Sequence, residues 1–340
     1  MERRGSRLSR RAFVVGAAGL GLVAGCGRLS WQADAPARVP RLGFLTQGVP
    51  SEESRRRVLA PFRQGLSEHG LVEGQNLAIA YRWADGGPER LAQPAAELVS
   101  DRVDVIVTVG TPAAYAARNA TSTIPIVMLG ASEPVRAGLV ASLAQPGGNV
   151  TGLSFDAGPG LWGKRLQLLH AVVPGVSRVA VLWNPGESGL SDALGEATDA
   201  AHGLGIDAQV VPVRRVDDFD GAFKAIAGGR AGAMFMIGGP FFFVHRVRIA
   251  DFALQNRLPS MQSGREYAEA GVLMAYGPRF PDLAHRGAAY VDKILKGAKP
   301  ADLPVEQPMT FDFVVNLKTA QALGITFPNE ILLQVTEVIQ

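Results

Sequence analysis

One glycine-rich stretch of the sequence has a spacing close to that of a phosphate-binding loop. It runs from Gly158 to Arg165, reads G-P-G-L-W-G-K-R, and lies between a predicted strand and a predicted helix. Arg165 stands where a Ser or Thr hydroxyl would bind magnesium, and Pro159 removes an N–H from the phosphate cradle. The stretch therefore does not predict nucleotide hydrolysis, and we expect Lys164 and Arg165 on the solvent face of the helix.

Other catalytic and metal-binding patterns are also missing from the sequence. The segment from Gly152 to Asp156 lacks the second glycine of a nucleophile elbow, and the G-x-G-x-x-A run from Gly203 follows a helix, as a capping turn would. No two histidines have metal-ligand spacing; they are His69, His170, His202, His245 and His285. We predict that the protein is not an enzyme, has no catalytic residue and uses no metal or cofactor.

The candidate ligand-binding residues are small or polar, and most lie just after or within predicted strands. Thr111 and Pro112 look like the N-cap and first residue of a helix, whose free N–H groups would form an anion site. For Thr111, a capping role without a ligand remains equally open. The candidates are Thr46, Gln47, Gly110, Thr111, Ser132, Glu133, Asn149, Thr151, Ser154, Asn184, Gly238, Glu266 and Tyr276.

This set of hydroxyls, amides and glycines, with one acid in each half, suits a small polar or zwitterionic ligand. Main-chain N–H groups would take a carboxylate, and Glu133 or Glu266 an ammonium group. Trp183, Tyr276 and Phe241–Phe243 could form an aromatic wall or lie in the core. The residues therefore predict recognition of a small molecule rather than its conversion.

The elements that must position these residues alternate between strand and helix, as in an α/β fold with parallel sheets. In the first half we expect strands at 41–45, 76–83, 103–109 and 124–129, and helices at 52–69, 88–100 and 111–119. In the second half we expect strands at 178–183, 207–213, 233–237 and 258–262, and helices ending near 202 and spanning 217–227 and 242–255.

The same order of elements thus occurs twice. Arg41 corresponds to Arg178, Val105 to Ala233, and Pro125 to Pro259. We predict two similar doubly wound parallel-sheet lobes joined by a hinge, with two unrelated α/β domains as the alternative. The first lobe is expected over 41–155 with a return segment at about 278–340, and the second over 156–277. Ligands of open α/β sheets bind outside the carboxyl ends of the strands, so the site should be the cleft between the lobes.

The N-terminus carries the features of an export signal. Ser9–Val15 reads S-R-R-A-F-V-V, an uncharged run reaches Gly25, and Leu22–Cys26 reads L-V-A-G-C. These features predict a twin-arginine lipoprotein signal at 1–25, lipidation of Cys26, and a tether over 26–40. The alternative is a chance basic start before a buried apolar segment with a core cysteine.

The charge and amino-acid composition limit which kinds of partner the protein is expected to bind. The net charge of +3 arises from the leader, which has five arginines and one glutamate; without it, 29 basic residues face 30 acidic ones. Nucleic acid is therefore not an expected partner. Cys26 is the only cysteine, so no disulfide framework is possible. With 47% hydrophobic and 19% charged residues, the composition is that of an ordinary globular protein.

Several stretches resemble the TrpX-like substrate-binding lipoproteins of ABC transporters. Three such stretches lie at 103–112 (VDVIVTVGTP), 139–154 (LVASLAQPGGNVTGLS) and 290–308 (YVDKILKGAKPADLPVEQP). The resemblance covers about residue 41 to the end and implies a type I periplasmic-binding-protein fold. It departs from the family pattern at Ser132-Glu133-Pro134, where Gly-Asp-Pro is common, and at Gly238-Gly239-Pro240, where an Asp is frequent. It also departs near the C-terminus, at 333–339.

The resemblance implies the substrate-binding component of an ABC importer that serves a permease and its ATPase. Characterised relatives of this type bind aromatic amino acids. We expect an exported monomer, lipid-anchored in the periplasm or at the cell surface, that binds an amino-acid-like ligand. A sensor module coupled to a signalling partner is the alternative; an exported enzyme is disfavoured by the missing motifs.

Overall fold

The chain builds two β-sheets, one for each half of the sequence, in a computed structural model that describes residues 38–85, 88–156, 158, 160–187 and 190–340. In the first sheet all strand pairs are parallel, and the order is β2-β1-β3-β4-β5. Its strands are β1 (Arg41–Gln47), β2 (Ala78–Ala84), β3 (Val105–Val109), β4 (Ile126–Ala131) and β5 (Val150–Ser154).

The second sheet has the order β12-β11-β10-β9-β8-β6-β7. Its pairs are parallel except β10 with β11, which run antiparallel. The strands are β6 (Arg178–Trp183), β7 (Asp207–Pro212), β8 (Ala233–Ile237), β9 (Ser260–Gln262), β10 (Met274–Pro278), β11 (Phe311–Asn316) and β12 (Glu337–Ile339).

The two sheets repeat one topology, because β7-β6-β8-β9-β10 matches β2-β1-β3-β4-β5 strand for strand. Arg41 and Arg178 open the equivalent strands β1 and β6, and Val105 and Ala233 open β3 and β8. The strands β3 and β8 are rich in β-branched and apolar residues, which become buried on both faces of a parallel sheet. The predicted fold class, two similar parallel-sheet lobes, is confirmed.

Helices cover both faces of each sheet. Those of the first half are α1 (Glu52–Ser54), α2 (Ala60–Glu68), α3 (Ala92–Ser100) and α4 (Gly110–Ala120), with a π-helical segment at Arg55–Leu59 and a 3₁₀ turn at Pro88–Leu91. The others are α5 (Leu161–Val172), α6 (Ser191–Gly203), α7 (Asp218–Gly228), α8 (Pro240–Val244), α9 (Arg246–Gln255), α10 (Arg265–Glu269), α11 (Phe280–Leu295), α12 (Leu317–Leu323) and α13 (Asn329–Leu332), with a 3₁₀ turn at Pro300–Asp302.

The return segment expected over 278–340 is shorter in the structure. The helix α11 packs on the first sheet and buries Leu283, Tyr290 and Val291 there, and Thr151 Oγ1 donates a hydrogen bond to the Leu303 carbonyl. From Phe311 onward the chain joins the second sheet instead, because β11 pairs with β10. The alternating apolar side chains of β11 lie in the core of the second lobe.

The predicted export signal, Cys26 and most of the 26–40 tether lie outside the described residues. Residues Pro40–Gln340 form one compact unit. Within the described ranges, no helix has the length and apolar character needed to cross a membrane.

Candidate functional site

A cavity of about 490 Å³ lies between the two lobes, at the carboxyl ends of the strands of both sheets. The first lobe contributes residues that follow β1 to β5, and the second lobe residues that follow β6 to β9. This is the position that open parallel sheets use for ligands. The volume lies within the range of about 300–1,000 Å³ found for small-molecule sites.

Both lobes contribute aromatic side chains to the cavity wall. Phe155 and Phe280 of the first lobe have ring centres 6.4 Å apart, and Phe243 and Tyr267 of the second meet edge to face at 5.9 Å. Rings arranged in this way offer a planar apolar group both faces and edges to pack against. The aromatic residues of the wall are Phe44, Trp83, Phe155, Trp162, Phe241, Phe243, Tyr267 and Phe280.

Several residues predicted from the sequence lie together in the cavity wall, all of them at strand ends. Glycine is required at one of them, because a Cβ on Gly238 would clash with the Phe242 ring. They are Thr46, Gln47, Gly110, Thr111, Ser132 and Gly238.

Thr111 does not cap its helix, contrary to the sequence prediction. The helix α4 begins one residue earlier, at Gly110, whose φ of +76° permits the sharp exit from β3. The N-cap position falls on Val109, which makes no side-chain capping bond. The Thr111 hydroxyl instead accepts a hydrogen bond of 2.8 Å from the Ser132 N–H. It ties the end of β3 to the end of β4 while lining the cavity.

The two predicted acids lie beside the cavity wall rather than in it. The backbone N–H of Glu133 donates a hydrogen bond of 2.6 Å to Asp156 Oδ2. Glu133 itself has a left-handed backbone, with a φ of +44°. Burial raises the pKa of Glu133 to about 7. Glu266 faces Arg57 of the other lobe, with Oε1 2.9 Å from Nε. The Glu266 carboxylate therefore has a partner from the other lobe already. The Glu133 carboxylate lies 3.5 Å from Arg136, and its Oε2 makes no hydrogen bond within the described residues.

The side chains of four predicted polar residues form hydrogen bonds with backbone groups. Asn149 precedes β5, at the amino end of the sheet, and donates to two carbonyl groups there. Thr151 fixes the return segment, Ser154 Oγ donates to the Asp156 carbonyl, and Asn184 Oδ1 accepts from the Gly186 N–H. The structure therefore does not bring these side chains together in the cavity.

The predicted aromatic wall is divided between cavity and core. Phe241 and Phe243 line the cavity, whereas Phe242 is fully buried behind them. Tyr276 stacks on Phe311 with ring centres 5.7 Å apart. Trp183 packs against the core of the second lobe.

Arg165 is fully buried, not on the solvent face that the sequence suggests. Its Nε donates to the Tyr276 carbonyl at 2.7 Å, and its guanidinium carbon lies 4.3 Å from the Trp162 ring. The prediction failed because α5 is buried along most of its circumference and leaves Lys164 exposed as expected. A helix covered in this way carries no clear polar face.

The carboxylate of Glu187 lies in the cavity wall of the second lobe. It accepts hydrogen bonds from the N–H groups of Gly239 and Phe241, at the start of α8. Burial raises the pKa of Glu187, and these two N–H donors oppose that shift. Asp85, which follows β2, is another carboxylate of the wall.

Ion pairs join the lobes at the edge of the cavity. Glu53 binds Arg246, and Arg57 pairs with Glu266, both between largely buried side chains. Arg56 also pairs across the lobes, with Glu269 at 3.5 Å. These pairs require the two lobes to be close together, so they belong to a closed cleft.

Sequence reasoning missed the wall residues that come from helices and from loops between them. Arg57 carries no strand-end signal because it lies in a π-helical segment, and Phe280 begins α11 two residues after the end of β10. Trp83 is the last residue but one of β2, so its position near a strand end could have identified it. Among the described residues, no group of three or more His, Cys, Asp or Glu side chains is placed to hold a metal ion.

The fold and the cleft define a two-lobed ligand-binding protein, and comparison with known proteins gives its family. Residues 48–339 match the family model of the ABC transporter substrate-binding proteins. Since the match covers most of the chain, the protein belongs to this family.

Individual relatives agree with that assignment. The chain is 26% identical over 266 residues to a tyrosine-binding protein of Clostridioides difficile, covering 77% of this chain and 75% of the relative. A conserved domain protein from Vibrio cholerae superposes with a TM-score of 0.82 at 29% identity, over 88% of this chain and 100% of that one.

Two further solved structures represent ligand-bound and ligand-free states. One is an ABC domain from Streptococcus pneumonia in complex with L-Trp, with a TM-score of 0.79, 27% identity, and coverage of 88% and 100%. The other is a ligand-free, open substrate-binding protein with adhesive properties from Clostridium difficile, with a TM-score of 0.64, 26% identity, and coverage of 89% and 100%.

Proposed function

We propose that this protein binds an amino acid with an aromatic side chain in its interlobe cavity and delivers it to an ABC permease and its ATPase. The observation that carries the proposal is the cavity itself, with its aromatic walls from both lobes and a strip of hydroxyl groups at the strand ends. The relatives described as tyrosine-binding and as an L-Trp complex support the same class of ligand.

The chemistry of the wall divides between the two parts of such a ligand. The ring would pack among the phenylalanine, tyrosine and tryptophan side chains, which contribute area and edge-to-face contacts. The polar end would meet Thr46, Thr111 and Ser132 of the first lobe. The described part of the wall has three carboxylates, and Glu53 is already paired with Arg246. Asp85 and Glu187 are therefore the ones that would receive an ammonium group, since Glu133 and Glu266 are not part of the wall.

Titration calorimetry and thermal melting of the purified protein test the ligand class. L-Trp, L-Tyr and L-Phe should bind and raise the melting temperature, whereas sugars and metal ions should not. A ligand at about 100 times its Kd stabilises the folded state by about 2.7 kcal/mol, which is readily measured. A melt shifted only by sugars or by metal ions would contradict the proposal.

Export and lipid anchoring form a separate part of the proposal, supported by the N-terminal sequence. Cys26 would be the lipidated first residue of the mature protein, after removal of residues 1–25. Mass spectrometry of the membrane-bound form should then find no peptide from that leader. Cys26→Ser should leave the protein unanchored, and continued membrane attachment of this variant would refute the anchor.

A further inference from the structure

Arg57 occupies an unusual place in the wall of the cavity. It is the central residue of the π-helical segment Arg55–Leu59, which interrupts the helix between α1 and α2. Single π-helical turns inside helices occur frequently at functional sites, because they redirect side chains that a regular helix would point elsewhere. Here the wider turn brings a cation into the wall among its aromatic side chains; the other arginine of the described wall, Arg246, is paired with Glu53.

Two aromatic rings hold the Arg57 guanidinium between them. Its central carbon lies 4.2 Å from the centre of the Phe243 ring and 4.3 Å from that of Phe280. Phe243 belongs to the second lobe, whereas Phe280 begins the helix that packs on the first. Both distances are well inside the range of cation–π contacts, so both lobes together fix the plane of the guanidinium.

Glycine at position 130 makes room for this arrangement. A Cβ on Gly130 would lie 2.6 Å from the Phe280 ring, and the residue has a φ of +68°. The Phe280 ring can therefore lie under Arg57 only because β4 has no side chain at this point.

The ion pair of Arg57 leaves donors available. Its Nε lies 2.9 Å from Glu266 Oε1 but makes no aligned hydrogen bond within the described part of the chain, and the side chain keeps 17% exposure. A guanidinium carries five N–H donors in one plane, a geometry that matches a carboxylate. A single ion pair therefore does not exhaust what Arg57 can bind inside the cavity.

Arg56, the preceding residue, provides a natural contrast. It too forms an ion pair between the lobes, with Glu269, but its side chain is 61% exposed and it is not part of the cavity wall. Arg56 can hold the lobes together without touching a ligand.

We propose that Arg57 is a specificity-determining residue that binds the carboxylate of the ligand, and that closure of the lobes aligns it for this role. The inference rests on the proposed function, since it assigns a contact to the same amino-acid ligand. An arginine clamped between two rings has lost its rotational freedom in advance, so less entropy is lost when it forms paired hydrogen bonds with a carboxylate.

Titration calorimetry with a matched pair of ligands tests this contact. L-Tryptophan and L-tryptophanamide differ at the carboxylate, and the ratio of their Kd values measures how far the protein prefers the acid. We expect the wild type to prefer the acid by about tenfold or more. Arg57→Gln should lose most of this preference, and Arg57→Lys should retain part of it through its charge. Arg56→Gln should keep the full preference.

The outcomes separate the inference from the function on which it rests. If the wild type binds neither compound nor the other aromatic amino acids, the proposed function fails. If the wild type binds but Arg57→Gln keeps the wild-type preference, the assignment of Arg57 is wrong. An equal loss of preference in Arg56→Gln would also overturn it, because the effect would then come from ion pairs between the lobes. Melting curves of each variant without ligand confirm that it is folded.

Discussion

Three charged residues, the partly buried Glu133 and Asp156 and the fully buried Arg165, lie near one another where the chain crosses from the first lobe to the second. Asp156 follows β5 and accepts a hydrogen bond from the Glu133 N–H, while Arg165 lies on α5 with no exposure. Burial raises the pKa of Asp156 and lowers that of Arg165 to about 10. Oxygens of both acids and the terminal nitrogens of Arg165 have no hydrogen-bond partner within the described residues. Such groups are costly to bury and sensitive to protonation.

The stability of the protein should depend on pH through Glu133. Burial raises the pKa of this carboxyl to about 7; Asp156, Asp192 and Glu196 act in the same direction, and Arg136 opposes them. In the unfolded chain a glutamate carboxyl has a pKa of about 4.3. Between these values the folded state binds more protons than the unfolded state, so stability falls as the pH rises from about 4.3 to about 7.

Glu133→Gln tests this dependence because glutamine stays neutral. The variant should melt with the wild type at pH 4.5 and above it at pH 7.5. The difference should be on the order of 1 kcal/mol, since a side chain with 20% exposure is partly screened by solvent. Melting curves across this pH range give the measurement, with the exposed Glu330→Gln as control. A constant gap between variant and wild type at all pH values would refute the role of Glu133.

At the scale of elements, the strands and the residues that directly follow them can be predicted from the sequence. The run Val105–Val109 is β-branched enough to indicate a buried parallel strand, and the residues that follow such strands meet at one edge. Thr46, Ser132 and Gly238, which follow this rule, lie in the cavity wall, and their contact with a ligand stays a prediction. Asn149 lies outside the reach of the rule, because it precedes its strand and so lies at the opposite edge.

The contributions of helices to the site could not be predicted from the sequence. Arg57 reaches the wall through a π-helical turn, and Phe280 through the packing of α11 on the first sheet. Both depend on contacts between residues far apart in the chain, which local periodicity does not contain. The end of the return segment was missed for the same reason, because β11 is assigned to a lobe by its partner β10.

Gly130→Ala should show how closely β4 and α11 are fitted. The added methyl group would meet the Phe280 ring at 2.6 Å, at a backbone conformation that already disfavours side chains. We expect a loss of about 1–3 kcal/mol in the free energy of unfolding beyond the backbone cost. Urea denaturation measures it. Gly70→Ala is the matched control, with a φ of +77° but no atom within 4 Å of the new Cβ. Equal losses in the two variants would contradict the packing argument.

At the scale of the whole molecule, the lobes lie in a closed arrangement. The superposition is better on the L-Trp complex than on the ligand-free open protein, with TM-scores of 0.79 and 0.64 at nearly equal sequence identity. The pairs Glu53–Arg246 and Arg136–Asp192 join the lobes in this arrangement. Opening the cleft must separate these charges. The two ion pairs therefore contribute to the free-energy difference between the closed and the open state.

Exchanging the charges of one pair should change closure reversibly. Glu53→Arg sets two cations against each other, and we expect it to favour the open state and weaken ligand binding. Adding Arg246→Glu should restore part of the affinity, with a coupling energy on the order of 1 kcal/mol. Small-angle scattering and titration calorimetry report the two effects. Glu52→Arg is the control, since Glu52 pairs with Arg55 within its own segment. A double variant no better than the single one would argue against the pair.

The order in which the chain visits the two lobes has a consequence for its biogenesis. The first lobe lacks one of the helices that cover its sheet until α11 has been synthesised, and the second lacks two strands until residues 311–339 have been synthesised. The first lobe can therefore complete its core only after α11 has been made, and the second only after β11 and β12, so folding of both lobes ends late in synthesis. If the twin-arginine signal is used, this late folding takes place in the cytoplasm, because that route carries finished proteins. Translation and transport would then be separated in time by the geometry of the fold.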